Sequence, residues 1–292
     1  MSRYTEKRDI ETFKYLLKES VIAENLISGE SCDPPTCFAH GYFTRQVLTC
    51  TTLLAIFEGA RLDRFMSVQM TRSPSGDIVF DYPTAVVLVR VLYGTYLKMY
   101  FIADPGASNG EKAFRSQILE LHAAKKRLRL VRTVSPESRR LAELQSAYDD
   151  LVAKVASSEL FAGLTKDAKE SLTNEAERRM LWNSAVFEIR KAAGISDSYH
   201  KSLYEFSSDY IHSDGLALQQ IQAVRSQKDS IALMRIPVGD TIVFLASSLH
   251  LLTQVSPKVA EHISRDRELY YVITFWNDFR RLFDPCQIPT IE

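Results

Sequence analysis

Glycine is scarce in this chain, 11 of 292 residues, and most of the loop chemistry of nucleotide enzymes is missing with it. There is no P-loop and no Gly-x-Gly-x-x-Gly turn. There is also no Gly-x-Ser-x-Gly elbow and no His-Glu-x-x-His zinc helix. The four cysteines, at 32, 37, 50 and 286, form no Cys-x-x-Cys pair and are too few for a disulfide scaffold of this size. Cys32, Cys37 and His40 lie close together, but loosely spaced and only three, where a structural zinc takes four ligands. Reduced thiols in a cytoplasmic protein are the simpler expectation, with no metal and no cofactor called for. Net charge is absent too: 36 Lys and Arg balance 36 Asp and Glu. Any polyanionic partner must therefore be sought in local clusters.

Long apolar runs are nearly missing. The N-terminus, MSRYTEKRDIETFKYLL, alternates charged and apolar residues and has no signal-peptide core. The exception is Tyr82–Ala103, long enough to cross a bilayer. It carries Arg90 and Lys98 well inside, which argues against insertion. The expectation is no membrane span.

What remains is helix. With 46% hydrophobic and 25% charged residues, the chain can build an ordinary core. Apolar positions Ile10, Phe13, Leu17 and Val21 step by three and four, predicting a helix that ends near Gly29. A second helix is expected from about Ala39 to Met66, after a loop marked by Pro34-Pro35. Val68–Met70 and Ile78–Phe80 flank Ser73–Asp77, so a short hairpin at 68–80 fits, as does a loop with no ladder. Pro83 opens a third helix, apolar all round and hence central. Further helices are read at 110–131, from the Ser135-Pro136-Glu137 cap to 158, at 166–193, 198–213, 242–255 and 257–283, with 216–235 ambiguous. The fold class is therefore all-α: a multi-helix bundle over 1–292 as one helical domain, with 110–160 a charged helical hairpin able to protrude. His122 and His262 fall in charged, surface-like runs, and His250 in an apolar one.

Charge is uneven in the middle. Lys and Arg at 112, 115, 125, 126, 127, 129, 132, 139 and 140 face only Glu120 and Glu137, and the segment after them is acidic. Two complementary faces of a solvated hairpin explain this pattern. The functional alternative is a phosphate-binding arm of Lys125, Lys126, Arg127, Arg129 and Arg132, with RNA as partner.

The segment Tyr199–Gly215, YHKSLYEFSSDYIHSDG, puts Tyr199, Leu203, Phe206 and Tyr210 on one helical face. Lys201, Glu205, Ser208 and His212 fall on the other. A histidine beside a carboxylate and a hydroxyl suits general-base work. His212 is the expected base, Glu205 or Ser208 its orienting partner, and Arg90 a cation from the central helix, which would itself need a carboxylate, carbonyls or an anion if buried. Against this stands His212 as a wet helix-end residue favoured by the macrodipole, and Arg90 as a structural tie.

The central LVRVLYGTYLKMYFIAD together with YHKSLYEFSSDYIHSDG resembles an uncharacterised bacterial family, the domain of unknown function 5677. That family is similar in flavour to the HEPN superfamily of helical bundles. The resemblance implies a HEPN-like fold, a role in bacterial stress or phage defence, and a metal-independent RNA endonuclease or RNA-binding protein that pairs as a homodimer or with a partner protein. Two positions depart from the superfamily pattern. No arginine precedes His212 at four to six residues, and Gly94 stands where relatives often carry glutamate. A catalytic cation would then come from another helix or another subunit. The alternative function is a non-catalytic helical interaction module, dimeric, in which His212 and Arg90 are structural.

Overall fold

In a computed structural model of the chain, the described residues are 2–58, 60–61, 78–79, 81–137, 139–173, 188–212, 215, 219 and 227–282. Among them the protein is all-helical except for a two-residue antiparallel ladder, Ala60 opposite Val79 and Arg61 opposite Ile78. The strand at Ile78 therefore pairs with the residues following the second helix. The expected partner, Val68–Met70, lies outside the described residues. By Cα clustering the chain divides into two compact units, one of residues 1–30, 40–99 and 194–292, the other of 31–39 and 100–193.

In the first unit, α1 (Ser2–Ile27) buries Phe13, Leu16, Leu17, Ala23 and Ile27, and Gly29 follows it with φ of 75°. The helix α2 (Pro34–Glu58) begins at the prolines that read as loop. Asp33 caps it, its Oδ1 accepting from Thr36 N–H at 3.0 Å, and proline tolerates the first turn because those N–H groups have no helical partner. The helix α3 (Tyr82–Ala103) buries Tyr82, Val86, Val89, Leu92, Tyr93 and Tyr96. The helix α8 (Asp197–Ile211) packs along it, Tyr210 against Tyr82 at 5.4 Å and His200 against Tyr93 at 5.6 Å. These contacts make the two helices antiparallel.

The helix α9 (Gln227–Leu252) runs through Pro237 and Asp240, where a start after Asp240 was expected. Met234, Val238, Ile242, Leu245 and Leu249 are all buried, so one apolar stripe crosses the proline and packing outweighs its helix-breaking tendency. The final expected helix is two. In α10 (Pro257–Arg265) and α11 (Arg267–Leu282) the break falls at Asp266, whose Oδ1 accepts from Glu268 and Leu269 N–H at 2.9 and 3.0 Å and starts a new helix. Tyr15 donates to its Oδ2 at 3.2 Å, Glu19 pairs with His262 at 2.9 Å, and Glu30 with Lys258 at 2.6 Å. The charged run around His262 thus docks on α1.

Deep in this unit Ser248 Oγ lies 2.7 Å from both Gln46 Oε1 and the Phe244 carbonyl, with Gln46 and Ser248 fully buried. Ser248→Ala would leave the Gln46 oxygen short of a donor. The expected cost is about 1–3 kcal/mol, read by urea denaturation; an unchanged midpoint would show that the Gln46 amide finds another partner.

The second unit is built on α4 (Asn109–Val134), opened by a capping box between Ser108 and Glu111. With α5 (Arg140–Ala156), the short α6 (Glu159–Ala162) and α7 (Lys166–Thr173), it encloses Phe114, Ile118, Leu121, Leu128, Tyr148, Val155 and Leu172. The charged pair 110–160 therefore has a core of its own. His122, expected on the surface, is buried here, and burial together with Lys125 and Lys126 lowers its imidazole to about 4. Cys32 and Cys37 are joined in a disulfide, where reduced thiols were expected. Cys32 just before the Asp33 cap and Cys37 in the first turns of α2 have Cα atoms 5.7 Å apart, within bonding reach.

Two helical windows, Tyr82–Ala103 and Ala232–Leu252, have the length and hydropathy to cross a bilayer. In each, more than half of the window is buried against protein.

Candidate functional site

The antiparallel packing of α3 and α8 decides which histidine meets Arg90. The Arg90 guanidinium sits 4.1 Å from the centre of the Tyr204 ring and 5.5 Å from that of Tyr93. His200 lies one turn before Tyr204 on the same stripe, 5.4 Å from it ring to ring. The Tyr93 hydroxyl stands 2.5 Å from His200 Nδ1. An arginine, an imidazole and two phenols thus share one half-buried patch, each helix supplying two of them at spacings of three or four residues.

His212 is elsewhere. It is the C-cap of α8, its backbone N–H directed to the carbonyls of Ser208 and Tyr210, and it is exposed. Eight residues separate it from Tyr204, about 12 Å of helix rise. Glu205 is exposed and pairs with Lys201 at 3.8 Å. Ser208 is half-buried and its carbonyl closes the helix end. The expected grouping of His212 with Glu205, Ser208 and Arg90 does not form, because α8 points its C-terminus toward Tyr82 and its first two turns toward Arg90.

Arg90 has no ion pair among the described residues, and its charge is met by ring faces instead of a carboxylate. A guanidinium held over a ring can still present N–H groups to an anion. Gly94 adds to this opening: a Cβ there would come within 3.9 Å of Arg90 Nη1 and touch nothing else. A glutamate at that position would neutralise the arginine from one turn away.

A second layer stands behind the patch. Phe244 of α9 is fully buried and packs against Tyr93, Tyr96 and Tyr199 at 5.4, 5.9 and 6.1 Å. Tyr199 donates to Asp240 Oδ1 at 2.7 Å, fixing the first turn of α8 to α9 beside His200. Burial raises the Asp240 carboxyl to about 6, against the opposing hydrogen bond from Tyr199. The folded protein holds that proton above the usual unfolded value near 3.9. The stability it contributes is full below about pH 4 and lost as pH rises through about 6. Asp240→Asn keeps an acceptor for Tyr199 and has no proton to lose. Wild type is expected to weaken by on the order of 2 kcal/mol relative to this variant between pH 4 and 7. Urea denaturation at both pH values checks it, and a difference constant with pH would show that folding leaves the Asp240 carboxyl unshifted.

The basic arm is only partly at the surface. Lys125, expected in the arm, is 5% exposed, its Nζ 3.4 Å from the Ser171 carbonyl, and so is turned away from the surface. It lies on the α4 face that carries Leu121 and Leu128 inward. Lys126, Arg127 and Arg132 are exposed and Arg129 half-buried, with Arg132 bonded to Gln145. Among the described residues no three His, Cys, Asp or Glu side chains group as a metal site.

Fold and patch together define an all-helical protein with an arginine–tyrosine–histidine cluster between two antiparallel helices. Compared with known proteins, the chain matches no family, no curated protein and no solved structure.

Proposed function

We propose that the protein acts on RNA at the Arg90–His200 patch, as a metal-independent endonuclease of HEPN-like character in bacterial stress or defence. One observation carries the reading: Arg90 and His200 contact the same Tyr204 ring, so a cation and a base stand within reach of one phosphodiester. His200 takes the proton from a ribose 2′-hydroxyl, whose oxygen attacks the adjacent phosphorus. The 5′-oxygen leaves with a proton from water, and Arg90 stabilises the charge on the phosphoryl oxygens. Tyr93 fixes the imidazole through Nδ1.

The test is total RNA incubated with purified protein in EDTA, comparing wild type with His200→Ala, Arg90→Ala and His212→Ala. Cleavage that survives only in wild type and His212→Ala supports the reading. Intact RNA with every protein, or activity equal in all four, overturns it.

A second reading, a helical module that binds another protein or its own copy, draws on α11. There Tyr270, Tyr271 and Phe275 are at least half exposed, and Tyr271 and Phe275 stack on each other at 6.4 Å. Exposed aromatic rows of this kind often mark interfaces. Concentration-dependent sedimentation that Phe275→Asp abolishes would favour it.

A further inference from the structure

The Cys32–Cys37 bond closes a loop of only four intervening residues, Asp-Pro-Pro-Thr, across the start of α2. A bond across so short a loop restricts the unfolded chain less than one closing a long loop. The helix start also has supports of its own. Asp33 caps α2 through its own side chain, and Cys37 N–H donates to the Asp33 carbonyl at 2.9 Å; neither contact needs the sulfurs joined. Cys37 is exposed and Cys32 only partly covered. Cys50, further along the same helix, is fully buried and its thiol pushed up by burial. One helix thus carries a buried thiol and, at its exposed first turn, a bond that its N-terminal cap does not require.

We infer that Cys32 and Cys37 are a reversible thiol–disulfide site, opened and closed by small-molecule thiols such as glutathione. A glutathione thiolate attacks one sulfur, forming a mixed disulfide and releasing the other cysteine as thiolate. A second glutathione thiolate displaces the first, leaving two cysteine thiols and one glutathione disulfide. Two thiols have supplied the two electrons. The released thiolate forms at the N-terminal end of a 25-residue helix, where the partial positive charge favours an anion. Long-lived structural disulfides belong to oxidising compartments, whereas those of reducing ones are transient. This site suits the second class.

The experiment uses the full chain, natively folded. Protein equilibrated with millimolar glutathione at varied ratios of its thiol and disulfide forms is quenched with an alkylating reagent, and peptide mapping reads each cysteine. The expected result is Cys32 and Cys37 going from blocked to labelled together as the thiol form rises, while Cys50 stays unlabelled. The melting temperature should shift by no more than a few degrees. In Cys32→Ser, Cys37 should label in reducing buffer and take up one glutathione in oxidising buffer. The inference fails if both sulfurs stay blocked in excess reduced glutathione yet label after denaturation and reduction, which would make the bond a fixed one. It fails equally if both label even in glutathione disulfide, or if reduction unfolds the protein.

Discussion

His200→Ala is expected to lower RNA cleavage by about 10²–10⁴-fold, with His212→Ala close to wild type. The contrast rests on placement, since both histidines lie on α8 and differ chiefly in what surrounds them. His200 has the Tyr93 hydroxyl at Nδ1 and shares the Tyr204 ring with Arg90. His212 ends the helix in solvent. Arg90→Ala should cost roughly 10²–10³-fold, the range seen when one donor to a developing oxyanion is removed. Arg90→Lys should recover little of it, because an ammonium cannot offer phosphate the planar fork of a guanidinium. Initial rates on a labelled oligoribonucleotide in EDTA measure all four, with circular dichroism confirming that each variant is folded. If His212→Ala proves the inactive one, the site is at the other end of α8.

Phe244→Ala is expected to destabilise the first unit by about 3–5 kcal/mol. Its ring is fully buried and touches Tyr93, Tyr96 and Tyr199, three aromatics from two other helices. Truncation leaves a cavity that stiff neighbouring rings cannot close. A fall in melting temperature of roughly 6–20 °C follows for a unit of this size. Phe275→Ala is the matched control: an exposed phenylalanine on α11, expected to change stability by about 0.5 kcal/mol or less. Equal melting temperatures for the two variants would mean that the Phe244 cavity collapses without cost.

Much of the helical architecture was legible because it depends on period. Tyr199, Leu203 and Tyr210 are buried as their spacing predicts, and the all-apolar α3 is central. Boundaries were less legible where a single side chain decides them. Asp266 reads as one more charge in a charged run, yet its two accepted N–H bonds split one helix into two. Pro34 and Pro35 read as loop because a proline pair marks a loop and a helix start alike, and only the Asp33 cap decides between them.

The site was half legible. Arg90 stands out in the sequence as a charge on an apolar helix, but the polar stripe ending at His212 does not show that Tyr204 and His200 lie beside it. A helical wheel shows which residues share a face and not which end of a neighbour they meet. The available signal was local: Arg90 and Tyr93 at i, i+3, and His200 and Tyr204 at i, i+4. Lys125 and His122 show the converse, since a dense charge run conceals which members turn inward.

The Tyr15–Asp266 bond joins positions 251 residues apart, and the first unit draws on both early and late segments of the chain. Closing such a pairing has to wait for distant parts of the chain. As the chain leaves the ribosome, residues 100–193 emerge with nearly all of the second unit's core and can condense at once. The helices α1, α2 and α3 must wait for residues 194–292, a delay of about 5–20 s at ordinary elongation rates. During that interval the apolar α3 has no α8 or α9 to cover it. The nascent chain is most in need of a chaperone after its second unit has formed and before its first can close.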